Sequence, residues 1–212
     1  MITHFLLVRH GQSVSNKNKV FAGQNDMPLS DLGEAQSEAL ARKLKDEKID
    51  YVYSSSLSRA YYTAMPTARQ KGLCVCGSDE LREVYFAEWE GKSTDYLTAN
   101  GSDYPKWKER TAKYCSGHGE TPKEAGLRFE NALKALVKKR EGKTILVACH
   151  GGIINDFLCR IGYFDYETAD HDCVPRNASV TRVDYDGESF SVKSFSELPD
   201  GKPDAQPGGD VL

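Results

Sequence analysis

Short apolar runs with polar borders punctuate this chain. His4-Phe5-Leu6-Leu7-Val8 runs into Arg9-His10-Gly11, and Thr144-Ile145-Leu146-Val147-Ala148-Cys149 runs into His150-Gly151-Gly152. Each run suits one buried strand and is too short for a helix. Ile49-Asp50-Tyr51-Val52-Tyr53 reads as a third strand. The stretch Ser54-Ser55-Ser56-Leu57-Ser58-Arg59-Ala60 then opens a helix, with serine favoured at its N-cap. Pro66 falls inside that helix and predicts a kink or an early end. Helical spacing of Leu32, Ala35, Ala39, Leu40 and Leu44 predicts a helix from about Asp31 to Lys48, led in by Pro28-Leu29-Ser30. Another starts near Thr121, where Thr121 and Glu124 form a capping box and Pro122 takes the first helical position. Ala125, Phe129, Leu133 and Leu136 supply its buried face. Ser179 to Tyr185, the Asp186-Gly187 turn and Ser189 to Phe195 read as a hairpin. Strands alternating with helices make this an α/β unit.

The ends of the first two runs change the picture from fold to chemistry. Parallel strands of an α/β sheet deliver their C-terminal ends to a common crevice, where ligands bind. His10 and His150 can meet there although they are far apart in sequence. Two imidazoles beside Arg9 suit an anionic group. Gly11 and Gly151 let the backbone approach a ligand closely, and Arg59 lies near a helix N-terminus, which attracts anions. Each residue alone has a blander reading. A histidine at a strand end is usually a hydrogen-bonded structural residue, and Arg59 alone is a solvated charge. Two copies of one strand-His-Gly pattern favour a site.

Four stretches then resemble one known family. Arg9-His10-Gly11 with Asn16 resembles the signature of the histidine phosphatase superfamily, also called phosphoglycerate mutase-like. Ser54-Ser55-Ser56-Leu57-Ser58-Arg59-Ala60 with Thr63-Ala64 is similar to its second motif. Leu81-Arg82-Glu83, followed by Glu88-Trp89-Glu90-Gly91, resembles the third, and His150-Gly151-Gly152 the fourth. The motifs stand in family order from about Ile2 to Tyr185. The resemblance implies a three-layer α/β/α sandwich with a mostly parallel central sheet and a small cap insertion. It implies one such domain over residues 1–197, with 92–119 as the cap; the segment 198–212, rich in Pro, Gly and Asp, reads from its composition as a flexible tail.

The chemistry implied is phosphoryl transfer through a phosphohistidine on His10, which splits hydrolysis into two displacements. Arg9, Arg59 and His150 form the expected phosphate clamp, and Asn16 donates from its amide. Gly11, Gly151, Ala22 and Gly23 are expected to line the phosphate site. Glu83 is expected to protonate the leaving alkoxide and later to accept a proton from water; read without the resemblance, it is a surface partner of Arg82. Glu88 and Glu90 match the motif less well. No metal and no cofactor are implied, because fixed cations fill that role.

Within the family the choice lies between mutase and phosphatase. Mutases typically carry a longer insertion between the carboxylate and the second histidine. They also show tryptophan before the motif asparagine, asparagine after the second His-Gly, and threonine-glycine near the phosphate. This chain has Ser15, Gly152 and Ala22-Gly23 instead. These departures favour a phosphatase acting on a small phosphorylated metabolite. A cofactor-dependent phosphoglycerate mutase, a non-catalytic phospholigand-binding module and a metal-dependent hydrolase using His10 and His150 are the alternatives.

Composition narrows the rest. A length of 212 residues and a net charge of −3 suit one ordinary domain and give no support to nucleic-acid binding. No apolar run is long enough to span a bilayer. Arg9-His10 interrupts any N-terminal signal region, so a cytoplasmic location is expected. Cys74, Cys76, Cys115, Cys149, Cys159 and Cys173 lack paired spacing and are expected as free thiols. Cys115 with His118, or His171 with Cys173, is the weaker metal reading. Asn100-Gly101-Ser102 and Asn177-Ala178-Ser179 match the glycosylation pattern by coincidence. In the cap segment, Lys106, Lys108, Arg110 and Lys113 suit a second anionic group, partly offset by Asp103 and Glu109. Tyr96, Tyr104 and Trp107 suit stacking on a sugar or base, and Tyr114 adds a further aromatic. Nothing in the sequence sets the oligomeric state.

Overall fold

Phe5 and Leu7 pack with Phe129, Leu133 and Phe157, whereas Leu6 and Val8 pack with Leu40, Leu44 and Ala64. Alternate residues of one strand therefore serve two cores, as expected for a strand buried on both faces. The computed structural model describes residues 1–109, 111–113 and 116–199. Its strands are β1 (Thr3–Arg9), β2 (Tyr51–Ser55), β3 (Val75–Ser78), β4 (Thr144–Cys149), β5 (Val180–Tyr185) and β6 (Phe190–Glu197). Its helices are α1 (Val14–Lys17), α2 (Asp31–Lys43), α3 (Ser58–Lys71), α4 (Thr94–Ala99), α5 (Tyr104–Glu109), α6 (Pro122–Arg140) and α7 (Gly151–Arg160). The sheet order is β3-β2-β4-β1-β5-β6. β1 pairs with β4, β4 with β2 and β2 with β3 in parallel; β5 runs antiparallel to β1 and to β6. This is a mostly parallel mixed sheet.

Helices cover both faces. Leu40 and Leu44 from α2 and its C-cap, with Ala64 and Ala68 of α3, meet Leu6, Val8, Val52, Leu146 and Ala148. Ala125, Phe129 and Leu133 of α6, with Ile153 and Phe157 of α7, meet Phe5, Leu7, Ile145 and Val147. Truncating a fully buried phenylalanine such as Phe129 to alanine would cost about 3–5 kcal/mol. The capping box at Thr121 and Glu124 forms as the sequence predicts.

Several local expectations shift. α2 ends at Lys43, not Lys48. Lys71 Nζ donates to the carbonyls of Lys45 and Glu47, each at 2.6 Å, and so holds a turn rather than more helix. The buried face of α2 is Gly33, Ser37, Ala39, Leu40 and Ala41, with Ala35 exposed, because Gly33 must lie against the backbone of Gln12. The third strand starts two residues late, at Tyr51. α3 runs through Pro66 to Lys71 without an early end. The carbonyl that proline leaves without its helical donor is that of Tyr62, which is 58% exposed and therefore open to water. No serine caps α3: Leu57 is the N-cap, and Asp26 Oδ1 accepts from Ser58 N at 2.7 Å.

The described residues of the segment 92–119 pack through aromatics. Trp107 is 3% exposed, and its ring lies 5.4 Å from Phe21 and 6.0 Å from Tyr104. Phe21 precedes Ala22-Gly23, so this segment is anchored beside the candidate phosphate loop. Trp107 is thus spent on packing, whereas Tyr104 packs against it and stays half-buried. Tyr96 is exposed and carries Lys92 Nζ over its ring. Lys106 pairs with Asp103 and Lys113 with Glu167, so two of the expected cations are already engaged. Arg110, Tyr114, Cys115 and the tail from residue 200 lie outside the described residues. Cys74, Cys76, Cys149, Cys159 and Cys173 are free thiols. Among the described residues, no helix is long and apolar enough to cross a membrane.

Candidate active site

Parallel pairing of Arg9 with Cys149 sets the next residue of each chain segment side by side. His10 N donates to Cys149 O at 3.0 Å, and the rings of His10 and His150 lie 5.2 Å apart. Both are buried. His10 Nδ1 lies 2.6 Å from Gly11 O. A carbonyl only accepts, so Nδ1 carries the proton and Nε2 presents its lone pair. Arg59 Nε donates to that Nε2 at 3.3 Å. Burial, then Arg59 and Arg9, hold the His10 imidazole well below its ordinary pKa. Burial, then Arg59, His10 and Arg9, do the same to His150. Neither ring nitrogen of His150 has a hydrogen-bond partner among the described residues.

Arg59 is 1% exposed in the first turn of α3. Its Nη1 donates to Asn25 O at 3.0 Å and its Nη2 to Gly23 O at 2.6 Å. Burial lowers its pKa to about 10, with Glu83 the main opposing influence, so it stays cationic at neutral pH. Arg9 is 2% exposed and donates from Nη1 to Pro175 O at 2.8 Å. Asn16 Oδ1 accepts from Ser13 N and Ser13 Oγ, each at 2.9 Å, which turns its amide nitrogen the other way.

The glycines have stated jobs. Gly11 N donates to Thr63 Oγ1 at 2.9 Å, and a Cβ there would stand 2.5 Å from Gly33 O. Gly23 has φ +50°, and a Cβ would overlap Glu90 Oε1. Glu90 accepts from Gln24 N at 2.9 Å and Phe86 N at 3.0 Å, so it pins this loop rather than facing the histidines. Ala22 is buried beside it. Gly151 is the first residue of α7, whose N-cap is His150.

Glu83 is 1% exposed and no surface partner of Arg82. Arg82 turns to Asp79, at 2.9 Å, and to Ser56. Glu83 Oε2 accepts from Gly152 N at 3.1 Å, and Oε1 from Ile153 N at 2.8 Å and Val84 N at 2.9 Å. Burial raises its pKa, opposed by those three N–H groups and by Arg59. A buried carboxyl with a raised pKa near a buried guanidinium is the kind of group that perturbed functional sites contain.

The family profile of the histidine phosphatase superfamily (branch 1) matches residues 5–198. The chain belongs to that superfamily. A Hydrogenobacter thermophilus protein provisionally named phosphoserine phosphatase 2 is 30% identical over 193 residues, covering 91% of this chain and 94% of the relative. A Yersinia pestis protein provisionally named phosphoglycerate mutase GpmB is 29% identical over 183 residues, covering 84% and 83%. The crystal structure of an Entamoeba histolytica phosphoserine phosphatase, in complex with 3-phosphoglyceric acid, superposes with a TM-score of 0.80 at 26% identity, covering 92% of this chain and 98% of that one. This histidine phosphatase is accordingly an enzyme of the phosphatase class.

Two contributors escaped sequence reasoning. Asn177 is 4% exposed, and its Nδ2 donates to His10 O at 2.9 Å. Burial removes it from any glycosylation. The pairing of Val8 with Val180 explains its place, because it brings the residues before β5 alongside Arg9 and His10. Arg128 holds the backbone around Glu83 from α6. Neither gives a local signal, since each acts on a main-chain carbonyl of a distant segment. The His171–Cys173 turn is a short 3-10 segment. Among the described residues no group of three or more His, Cys, Asp or Glu side chains could hold a metal ion.

Proposed function

We propose that this histidine phosphatase hydrolyses small phosphorylated metabolites through a phosphohistidine on His10. The observation that carries the reading is the Nδ1 contact of His10 with Gly11 O, which leaves Nε2 unprotonated beside Arg59. In the first step Nε2 attacks phosphorus, the P–O bond to the alcohol breaks, and Glu83 gives the leaving oxygen its proton. In the second step water gives a proton to Glu83 and attacks phosphorus, the N–P bond breaks, and phosphate leaves. Arg9, Arg59, His150 and the Asn16 amide stabilise the charge on the equatorial oxygens. The fixed cations carry the role that a metal takes in other phosphatases. Residues 1–197 act as one domain, and the segment 92–119, anchored by Trp107, caps the site and selects the alcohol.

Gly152 and Ser15 favour hydrolysis over mutase activity, and the phosphoserine phosphatase relatives point to three-carbon phospho acids as first substrates to try. The Yersinia relative keeps isomerisation of phosphoglycerate as the second reading. A panel including phosphoserine, 3-phosphoglycerate and p-nitrophenyl phosphate, read by phosphate release in EDTA beside a mutase assay, tests the choice. Phosphate release is expected to dominate. Brief incubation with labelled substrate should place acid-labile phosphate on the wild type and none on His10→Ala, which should not turn over. Efficient isomerisation with little release would establish the mutase instead. Tight binding with no release would make the chain a binding module, and activity that needs an added metal would sink the phosphohistidine scheme.

A further inference from the structure

Glu83 sits in a segment with almost no regular structure. Short 3-10 turns cover Asp79–Leu81 and Ala87–Trp89, and residues 82–86 between them belong to no helix or strand. Such a segment has no ladder to fix its height or to satisfy its buried carbonyls. A side chain does both. Arg128 Nη1 donates to Glu80 O at 2.9 Å and Arg82 O at 3.0 Å, and Nη2 donates to Glu83 O at 3.3 Å. Nε and Nη2 reach the two oxygens of Glu120 at 2.8 and 2.7 Å. A guanidinium has five N–H donors in a fixed fork, and these contacts employ them all. Glu120 in turn is tied to the same segment, since its N donates to Tyr85 O at 2.8 Å.

We propose that Arg128, oriented by Glu120, is a positioning residue for Glu83 in catalysis. The proposal rests on the acid/base reading of Glu83. Its logic is mechanical. The Glu83 carboxylate hangs from the first turn of α7, through Gly152 N and Ile153 N. Its main chain hangs from α6 through Arg128, with Gln24 Nε2 donating to the same Glu83 carbonyl at 3.2 Å. α6 and α7 share one core around Phe129 and Phe157, whose rings are 5.5 Å apart. The acid is therefore held at both ends from one packed helix pair, with Val84 N adding a third bond to the carboxylate from its own segment. Arg128 and Glu120 are only 20% and 17% exposed at their side chains, so water does not readily replace either contact. A lysine keeps the charge but has three donors and no fork, and cannot hold three carbonyls and a carboxylate together.

The test compares Arg128→Lys and Glu120→Gln with wild type, each alone and in a Glu83→Gln background. Phosphoserine or another released alkyl phosphate serves as the ester with a poor leaving group, and p-nitrophenyl phosphate as the good one. Arg128→Lys should lower kcat on the alkyl ester by about ten- to a hundredfold, the scale of a misplaced catalytic group. KM and the p-nitrophenyl rate should change far less, and Glu120→Gln should show the same pattern more weakly. In the Glu83→Gln background Arg128→Lys should cost nothing more, because the group it positions is gone. Thermal melts report whether each variant stays folded at the assay temperature. Equal losses on both esters, or full additivity with Glu83→Gln, would overturn the positioning role alone. Equal losses on both esters for Glu83→Gln itself would remove the acid reading and this inference with it.

Discussion

His10 and His150 meet edge to face, with 62° between their ring planes. Both are held neutral by burial and by the cations around them. A phosphate dianion among these groups would reverse the balance at His150, because an opposite charge favours the protonated ring. Binding of the phosphate dianion should therefore draw a proton from solution at a pH where free phosphate is already the dianion. Calorimetry in buffers of different ionisation enthalpy would measure the uptake. His150→Gln should abolish it, and uptake that survives this change would locate the proton elsewhere.

The same shifts set the acid side of the pH profile. On the proposed mechanism His10 needs an unprotonated Nε2, so kcat/KM should hold below pH 6.5, the ordinary imidazole value, before it falls. Stability follows the same sign. In the unfolded chain these histidines bind protons below about pH 6.5 while the folded chain refuses them, so stability declines as pH falls through that window. Urea midpoints between about pH 7 and pH 5 should decline less in His150→Gln than in wild type.

Arg59 should tolerate no conservative replacement. It joins His10, Gly23 and Asn25 through three separate nitrogens. Arg59→Lys supplies charge without that geometry, and Arg59→Ala supplies neither. Both should lower kcat by about a hundredfold or more, as for loss of one preorganised donor, with the lysine variant rescuing little. A lysine variant near wild type would show that charge alone suffices.

How much of this was legible in the chain depends on where each signal was written. β1 and β4 announced themselves because strands buried on both faces read as continuous apolar runs, and their parallel pairing brought His10 and His150 together. Arg59 was placed at the right helix end, although the capping group is Asp26, brought in by a loop. Glu83 was visible only through family resemblance, since an irregular segment carries no periodicity. Asn177 and Arg128 stayed hidden because their partners are backbone carbonyls of other segments. Trp107 and Tyr104 could not be assigned to packing from sequence, because aromatic residues serve cores and ligand faces alike.

Trp107 offers a test of the cap. It touches Phe21 on one side and lies 6.4 Å from the His171 ring on the other. Trp107→Leu should loosen the segment 92–119 without touching the phosphate contacts. KM for larger phosphate esters should change severalfold, while kcat on p-nitrophenyl phosphate stays near wild type. Unchanged selectivity across the substrate panel would dissociate this segment from the choice of alcohol.

Asp156 gives the last prediction, and its sign is opposite to that of the histidines. It lies on α7 one turn beyond Gly152, is 3% exposed, and has Asn155 Nδ2 at a long 3.4 Å. Burial, then the nearby charges of Glu83 and Glu120, push its carboxyl well above the ordinary range; Asn155 and Arg128 only partly oppose this. A raised carboxyl pKa means that the folded chain keeps a proton the unfolded chain has lost. Stability attached to this group is then present in acid and lost as pH rises from about 4 through the folded value. Asp156→Asn has nearly the same shape and no charge to bury. It should match wild type below about pH 4 and exceed it as pH rises from there, as read by urea midpoints at fixed ionic strength. If wild type instead gained on the variant with rising pH, the carboxyl would be ionised and paired in the folded protein. The crowding of buried carboxyls around α7 would then need a different source of compensation.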